Sequence, residues 1–205
     1  MSTIEGGMIC TNDEKIYEYI RMLRGHGMLR EARGAQIKLQ YEQQYPDLNP
    51  MFIFTTPGFN VRNNEIGAII GLSQLKRLDQ MIVRRNENFQ YFLRRLPDWA
   101  FKDFNLEGQS NYALNVILKE PNADLMIKLE KALEMNEIEY RRGSAGGGNQ
   151  LRQPYIRNME KFKYIDCKKL APITDHIHFY GLYLGNYPDL QISDIDEILQ
   201  VINSI

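Results

Sequence analysis

The chain has 205 residues, 43% of them hydrophobic, and balances 25 Lys+Arg against 26 Asp+Glu for a formal net charge of -1. This suffices for one sizeable core or two small ones and offers no basic stripe to a nucleic acid. No apolar run reaches the roughly 18 residues of a membrane span, and the start lacks the charged and apolar regions of a signal peptide. The two cysteines, Cys10 and Cys167, stand in no metal-binding spacing and read as reduced thiols of a cytoplasmic protein.

In chain order, Glu5-Gly6-Gly7 ahead of Met8-Ile9-Cys10 has the composition of a turn entering a buried strand over 7–12, with Cys10 a buried thiol. Asn12-Asp13 offers a cap for a helix in DEKIYEYIRMLRGHG, with Ile16, Ile20 and Leu23 on one face. Gly25 and Gly27 end it around His26, which reads as a catalytic base or, preferably, as a helix-end histidine suited to the dipole. Residues 31–57, polar and carrying three prolines, read as a connecting excursion.

From Asn63 to Leu96 apolar residues return at helical spacings without a proline, which predicts one helix of ~50 Å. Its first turns, EIGAIIGLSQL, are apolar nearly all round and expected to be buried; its later turns are amphipathic. Pro97 ends it. A compact α/β pattern follows: a strand in YALNVILKE, a helix from near Asn122, a strand in IEYRRG, and the loop GSAGGGNQLRQPY. An irregular Lys-rich stretch, a strand in HIHFYGLYLG and a last helix capped by Ser193 complete it.

Three places could carry chemistry. In the loop over 143–155, consecutive glycines let backbone approach a ligand, and Arg141, Arg142 and Arg152 are donors suited to phosphate. The plain alternative is a turn with solvated arginines. The pattern is neither a P-loop nor a dinucleotide fingerprint. In GFNVRNNEIGAIIGLSQL, Asn60, Arg62, Asn63 and Asn64 precede a helix N-terminus that favours anions, with helix capping by Asn63 or Asn64 the competing reading. His176 and His178 alternate on an expected strand but lack a third ligand nearby, so no metal is expected.

STIEGGMICTND, MLRGHG and GFNVRNNEIGAIIGLSQLKRLDQMIVRR resemble, in order and spacing, the DegT/DnrJ/EryC1/StrS family of sugar aminotransferases and dehydrases. GNQLRQPY and HFYGLYLGNYPDL are most similar to its nucleotide-sugar 3-dehydrase branch. The resemblance implies an α/β fold: the C-terminal part of a fold-type I, aspartate-aminotransferase-like enzyme that uses pyridoxal or pyridoxamine phosphate (PLP or PMP). Residues 1–57 would be the tail of the large cofactor-binding domain, 58–96 a long interdomain helix, and 97–205 the small C-terminal α/β domain.

In the family, the residue that reacts with the cofactor precedes the EGG turn, a lysine in aminotransferases and a histidine in 3-dehydrases. That position falls ahead of Met1. So do the strands that stack on the pyridine ring and the carboxylate paired with its nitrogen. No catalytic residue is therefore expected within these 205 residues, and the chain alone is expected to be inactive. Asn60 matches the asparagine that reaches the neighbouring subunit's cofactor phosphate, and Arg62 a substrate-facing arginine. Asn149, Arg152, Gly147 and Gly148 would face a nucleotide-linked sugar.

The implied reaction removes the C3 hydroxyl of a 4-keto-6-deoxy sugar in deoxysugar or lipopolysaccharide biosynthesis, in a cytoplasmic homodimer with shared active sites. A 4-aminotransferase, or a non-catalytic dimerising or complementing fragment, are the alternatives. Two isolated cysteines match the branch without an iron–sulfur cluster.

Overall fold

Asp13 accepts the N–H groups of Lys15 and Ile16 and so starts α1 (Glu14–Arg24). The computed structural model describes residues 2–143 and 148–205, which form two units, residues 1–77 and 78–205. In the first, α1 turns its Glu18–Met22 side inward, and Ile16 of the expected apolar face is exposed. The buried Glu18 carboxylate accepts the N–H groups of Arg33 and Gly34 at 2.7 and 2.9 Å, tying α1 to the start of α2 (Ala35–Gln44). Such an anchor satisfies donors that a helix start otherwise leaves open.

Met22, Leu29, Ala32 and Ile53 form the small core of this unit, with Ile37 and Tyr41 of α2 packed against it. The expected featureless excursion thus contains a helix. Its one inward pair, Ile37 and Tyr41, is too sparse to give AQIKLQYEQQ a visible apolar stripe.

The expected strand over 7–12 does not form. Met8 is 83% and Ile9 69% exposed, Cys10 is exposed rather than buried, and no ladder partner for this stretch exists among the described residues. A strand without a neighbour leaves its backbone groups to water.

Asn64 accepts the Gly67 N–H and opens α3 (Glu65–Leu75). The chain then turns at Lys76–Arg77, where the Arg77 N–H reaches the Gln74 carbonyl in a tighter turn. The single helix over 63–96 is therefore two, and the division between units falls in the break. Neither proline nor glycine marks this turn. Ile66, Ile69 and Leu72 of α3 are exposed, contrary to expectation, so packing within the unit does not hold the helix in register through the turn.

The second unit begins with α4 (Leu78–Arg95), which buries Phe89, Phe92 and Leu93. β1 (Ala113–Ile117), β2 (Arg141–Arg142) and β3 (Gly181–Gly185) form an antiparallel sheet in the order β1-β3-β2. The register sets Leu114 opposite Leu184 and Val116 opposite Leu182. These four point to one face, where α4 joins α5 (Ala123–Met135), through Met126, Leu129 and Leu133, and the last helix, through Ile195, Leu199 and Ile202. Each such fully buried side chain is worth about 1.5–3 kcal/mol.

Between β2 and β3 the chain makes α6 (Pro154–Arg157), α7 (Cys167–Leu170) and α8 (Pro172–Tyr180). The strand expected in HIHFYGLYLG is therefore half helix. Pro172 sits in the first turn of α8, where its missing N–H costs nothing, and strand geometry begins only at Gly181. The last helix, α9 (Ile192–Asn203), is capped two residues earlier than Ser193, at Gln191, whose N–H donates to Asp194 Oδ2 at 3.0 Å.

Candidate functional site

In the first unit, the two glycine-bearing segments of the sequence meet. Residues 53–61 run antiparallel to 23–29: His26 N–H donates to the Phe59 carbonyl at 2.7 Å, Phe59 N–H to Leu23, Val61 N–H to Arg24 and Thr55 N–H to Gly27. Bridges pair Gly25 with Asn60 and Met28 with Phe54. The crossing leaves no room for side chains. A Cβ on Gly27, whose φ is +77°, would lie 1.8 Å from the Thr56 carbonyl oxygen, and one on Gly58 would lie 2.2 Å from the Gly27 nitrogen. His26 itself takes a left-handed φ of 65°, a conformation for which histidine is enriched among non-glycine residues.

This lattice fixes the backbone of Asn60. Its exposed side-chain amide has no hydrogen-bond partner among the described residues. Its neighbours are committed. Arg62 Nη2 pairs with Glu31 Oε1 at 2.8 Å, Asn63 Oδ1 accepts the Asn64 N–H, and Asn64 caps α3. The capping reading thus holds for Asn64, and Asn60 is the candidate whose side chain, oxygen and nitrogen alike, is uncommitted among the described residues.

In the second unit, the C-terminal end of the glycine loop stands on α8. Asp175, 6% exposed at its side chain, accepts from Arg152 Nε at 2.5 Å, Arg152 Nη2 at 2.8 Å and Asn149 Nδ2 at 3.0 Å. Asn149 is 1% exposed, so its amide faces Asp175 and not solvent. Its backbone N–H donates to His178 Nδ1 at 3.2 Å, which requires that nitrogen to be unprotonated. Gly148, at φ +80°, lies against the same ring, where a Cβ would come within 2.4 Å of Nδ1. The Gly143 N–H donates to the Gly181 carbonyl at 2.7 Å, where α8 gives way to β3.

The Arg152 guanidinium holds the Asp175 carboxyl below the usual carboxylate range, against burial, which pushes it up. Asp175 in turn raises the Arg152 pKa. Arg142 bonds Glu130 and the Phe179 carbonyl, whereas Arg141 pairs only loosely, at 3.7 Å, with the exposed Glu139. Gly147 lies outside the described residues, as do residues 144–146.

His176 and His178 sit on a helix, about 200° apart around its axis at 100° per residue. His176 Nε2 lies 2.6 Å from the Leu118 carbonyl. Among the described residues no group of His, Cys, Asp or Glu could hold a metal ion, and no helix is long and apolar enough to cross a membrane. Sequence reading finds no direct sign of Asp175, and it places His178 on a strand where the structure has a helix. Their signal was the spacing of 175, 178 and 179, which makes one face only once Pro172 is taken to open a helix.

Residues 1–203 match the DegT/DnrJ/EryC1/StrS aminotransferase family. Over 98% of its length the chain is 29% identical to a GDP-4-keto-6-deoxy-D-mannose 3-dehydratase of Escherichia coli O55:H7 and 30% identical to one of Yersinia pseudotuberculosis, covering 51% of each. The solved E. coli GDP-4-keto-6-deoxy-D-mannose-3-dehydratase with bound hydrated PLP matches 98% of the chain with a TM-score of 0.68 at 26% identity, over 51% of its own chain. The chain thus spans about half the length of the curated relatives it matches.

Proposed function

Because the chain belongs to the DegT/DnrJ/EryC1/StrS aminotransferase family, we propose that it supplies the carboxy-terminal half of a PLP- or PMP-dependent enzyme that removes the C3 hydroxyl of a nucleotide-linked 4-keto-6-deoxy sugar. The observation that carries this reading is the near-complete, collinear match of the chain to half of two 3-dehydratases.

In this reading residues 1–57 complete the large domain and the second unit is the small domain. The exposed apolar residues Ile66, Ile69 and Leu72 of α3, with Met8 and Ile9, are the surface that the other half covers. Asn60 fits a phosphate oxygen, since its amide is exposed, uncommitted and backed by the fixed crossing of 23–29 with 53–61. In a homodimer with shared sites it contacts the cofactor phosphate of the neighbouring subunit. Arg62, already balanced by Glu31, faces the substrate as one member of an ion pair. The bound cofactor supplies an electron sink. This chain's residues bind and orient, and the reacting base belongs to the preceding half.

The test is turnover by the protein purified from its own cells and given GDP-4-keto-6-deoxy-D-mannose, PLP and glutamate. Loss of the C3 oxygen from the sugar supports the proposal. A 4-amino sugar that keeps its C3 hydroxyl supports the aminotransferase alternative, and an unchanged sugar refutes both.

A further inference from the structure

Asp175 is a buried carboxylate with no part in the chemistry above, yet three donors from the end of the glycine loop converge on it. Arg152 engages it through Nε and Nη2, which uses one edge of the planar guanidinium and fixes the plane. The Phe179 ring lies 4.7 Å from Cζ and covers a face of that plane. The other edge, at Nη1, bonds nothing among the described residues, and the side chain remains 26% exposed. The result is a guanidinium locked on one edge, backed by a ring and presenting its remaining N–H groups to solvent. Oriented arginine donors of this kind recognise phosphate oxygens.

We infer that Asp175 is a positioning residue: it aims the free edge of Arg152 at the diphosphate of the nucleotide-linked ligand while pinning the loop end through Asn149. The inference rests on the reading that residues 148–152 face a nucleotide-linked sugar. Arg152 then contributes its outer edge, and Asn149, being buried, contributes by holding the backbone in place. His178 supports the same end by accepting the Asn149 N–H. An unrestrained arginine must lose rotamer freedom on binding, whereas one already fixed by a carboxylate loses little.

The experiment is an NMR titration of the isotope-labelled 205-residue chain with GDP and, separately, inorganic pyrophosphate. It follows the Arg152 Nε–H and the Gly148 and Asn149 amides. The wild type is expected to show saturable shifts with both probes. Asp175→Asn should bind at least about tenfold more weakly, as should Arg152→Ala, and the double variant should lose clearly less than the two losses combined, because Asp175 acts mainly through Arg152.

If the β1 and β3 amides show that Asp175→Asn has not folded, Asp175→Glu carries the test. It keeps the charge but moves the carboxylate by a methylene, and is expected to weaken binding several-fold. Wild-type affinity in either folded variant, or losses that add to those of Arg152→Ala, would overturn the inference alone. A wild-type chain that neither probe shifts would overturn the underlying reading and the inference with it.

Discussion

Asn186 closes the turn after β3 and is 2% exposed. Its Nδ2 donates to the Arg85 carbonyl at 3.0 Å and the Asn111 carbonyl at 2.8 Å, and its Oδ1 accepts from Asn88 Nδ2 at 3.2 Å. One amide thus joins α4, the approach to β1 and the end of β3. Asn186→Ala removes all three bonds and leaves the fully buried Asn88 amide without that acceptor. At about 1 kcal/mol for each net bond, the expected cost is about 3 kcal/mol, or a fall of roughly 10 °C in melting temperature.

Urea unfolding followed by fluorescence isolates the effect, because the chain's one tryptophan, Trp99, packs against the core of this unit. The midpoint should fall while the slope stays constant, since the exposed surface on unfolding is unchanged. Asn203→Ala is the control. Its amide bonds the Leu199 carbonyl of α9 and the Arg95 carbonyl that ends α4, but water reaches that exposed position and the expected change is within about 0.5 kcal/mol. A loss below about 1 kcal/mol for Asn186→Ala, or one no larger than the control, would refute the idea that this amide is a structural joint.

Acid should weaken the Asp175 clamp with a definite sign. Its folded pKa is lowered, so its contribution is complete above the unfolded carboxylate pKa and is lost as pH falls through the folded value. The stability gap between wild type and Asp175→Asn should therefore narrow below about pH 4, and a gap that persists unchanged to pH 2 in urea titrations contradicts the assignment. Gly27→Ala places a methyl against the Thr56 carbonyl at positive φ, so hydrogen exchange should quicken over 23–29 and 53–61. Gly7→Ala, with nothing within 4 Å of its Cβ, should leave exchange unaltered; equal behaviour of the two variants counts against the crossing. Asn64→Ala should destabilise α3 by about 1 kcal/mol as a lost cap. Asn60→Ala should leave α3 exchange as it is and weaken cofactor retention in the intact enzyme, and a reversal of those two outcomes would exchange their roles.

Local rules read much of this chain. Asp13, Asn64 and Asn122 cap helices, Pro97 follows α4, and the apolar spacing in α5 and α9 gives the inward faces. Three of the misreadings share a cause: the deciding partner is remote in sequence. Met8-Ile9-Cys10 has strand composition without a strand beside it. The α3 turns have core composition but an exposed face, and composition cannot say whether the covering layer lies in the same segment. Asn149 and Arg152 looked like solvent-facing donors because the carboxylate that engages them is more than twenty residues further on. The fixed backbone of Asn60 likewise depends on a distant segment, 23–29, and its proposed contact with a cofactor phosphate rests on the resemblance.

What accompanies this chain in its own cells tests the proposed function most directly, and native mass spectrometry of the particle containing residues 1–205 measures it. The expected result is an assembly in which this sequence is joined, covalently or as a separate subunit, to a cofactor-binding half and carries PLP or PMP. A particle built from this chain alone, without cofactor, would contradict the proposed function.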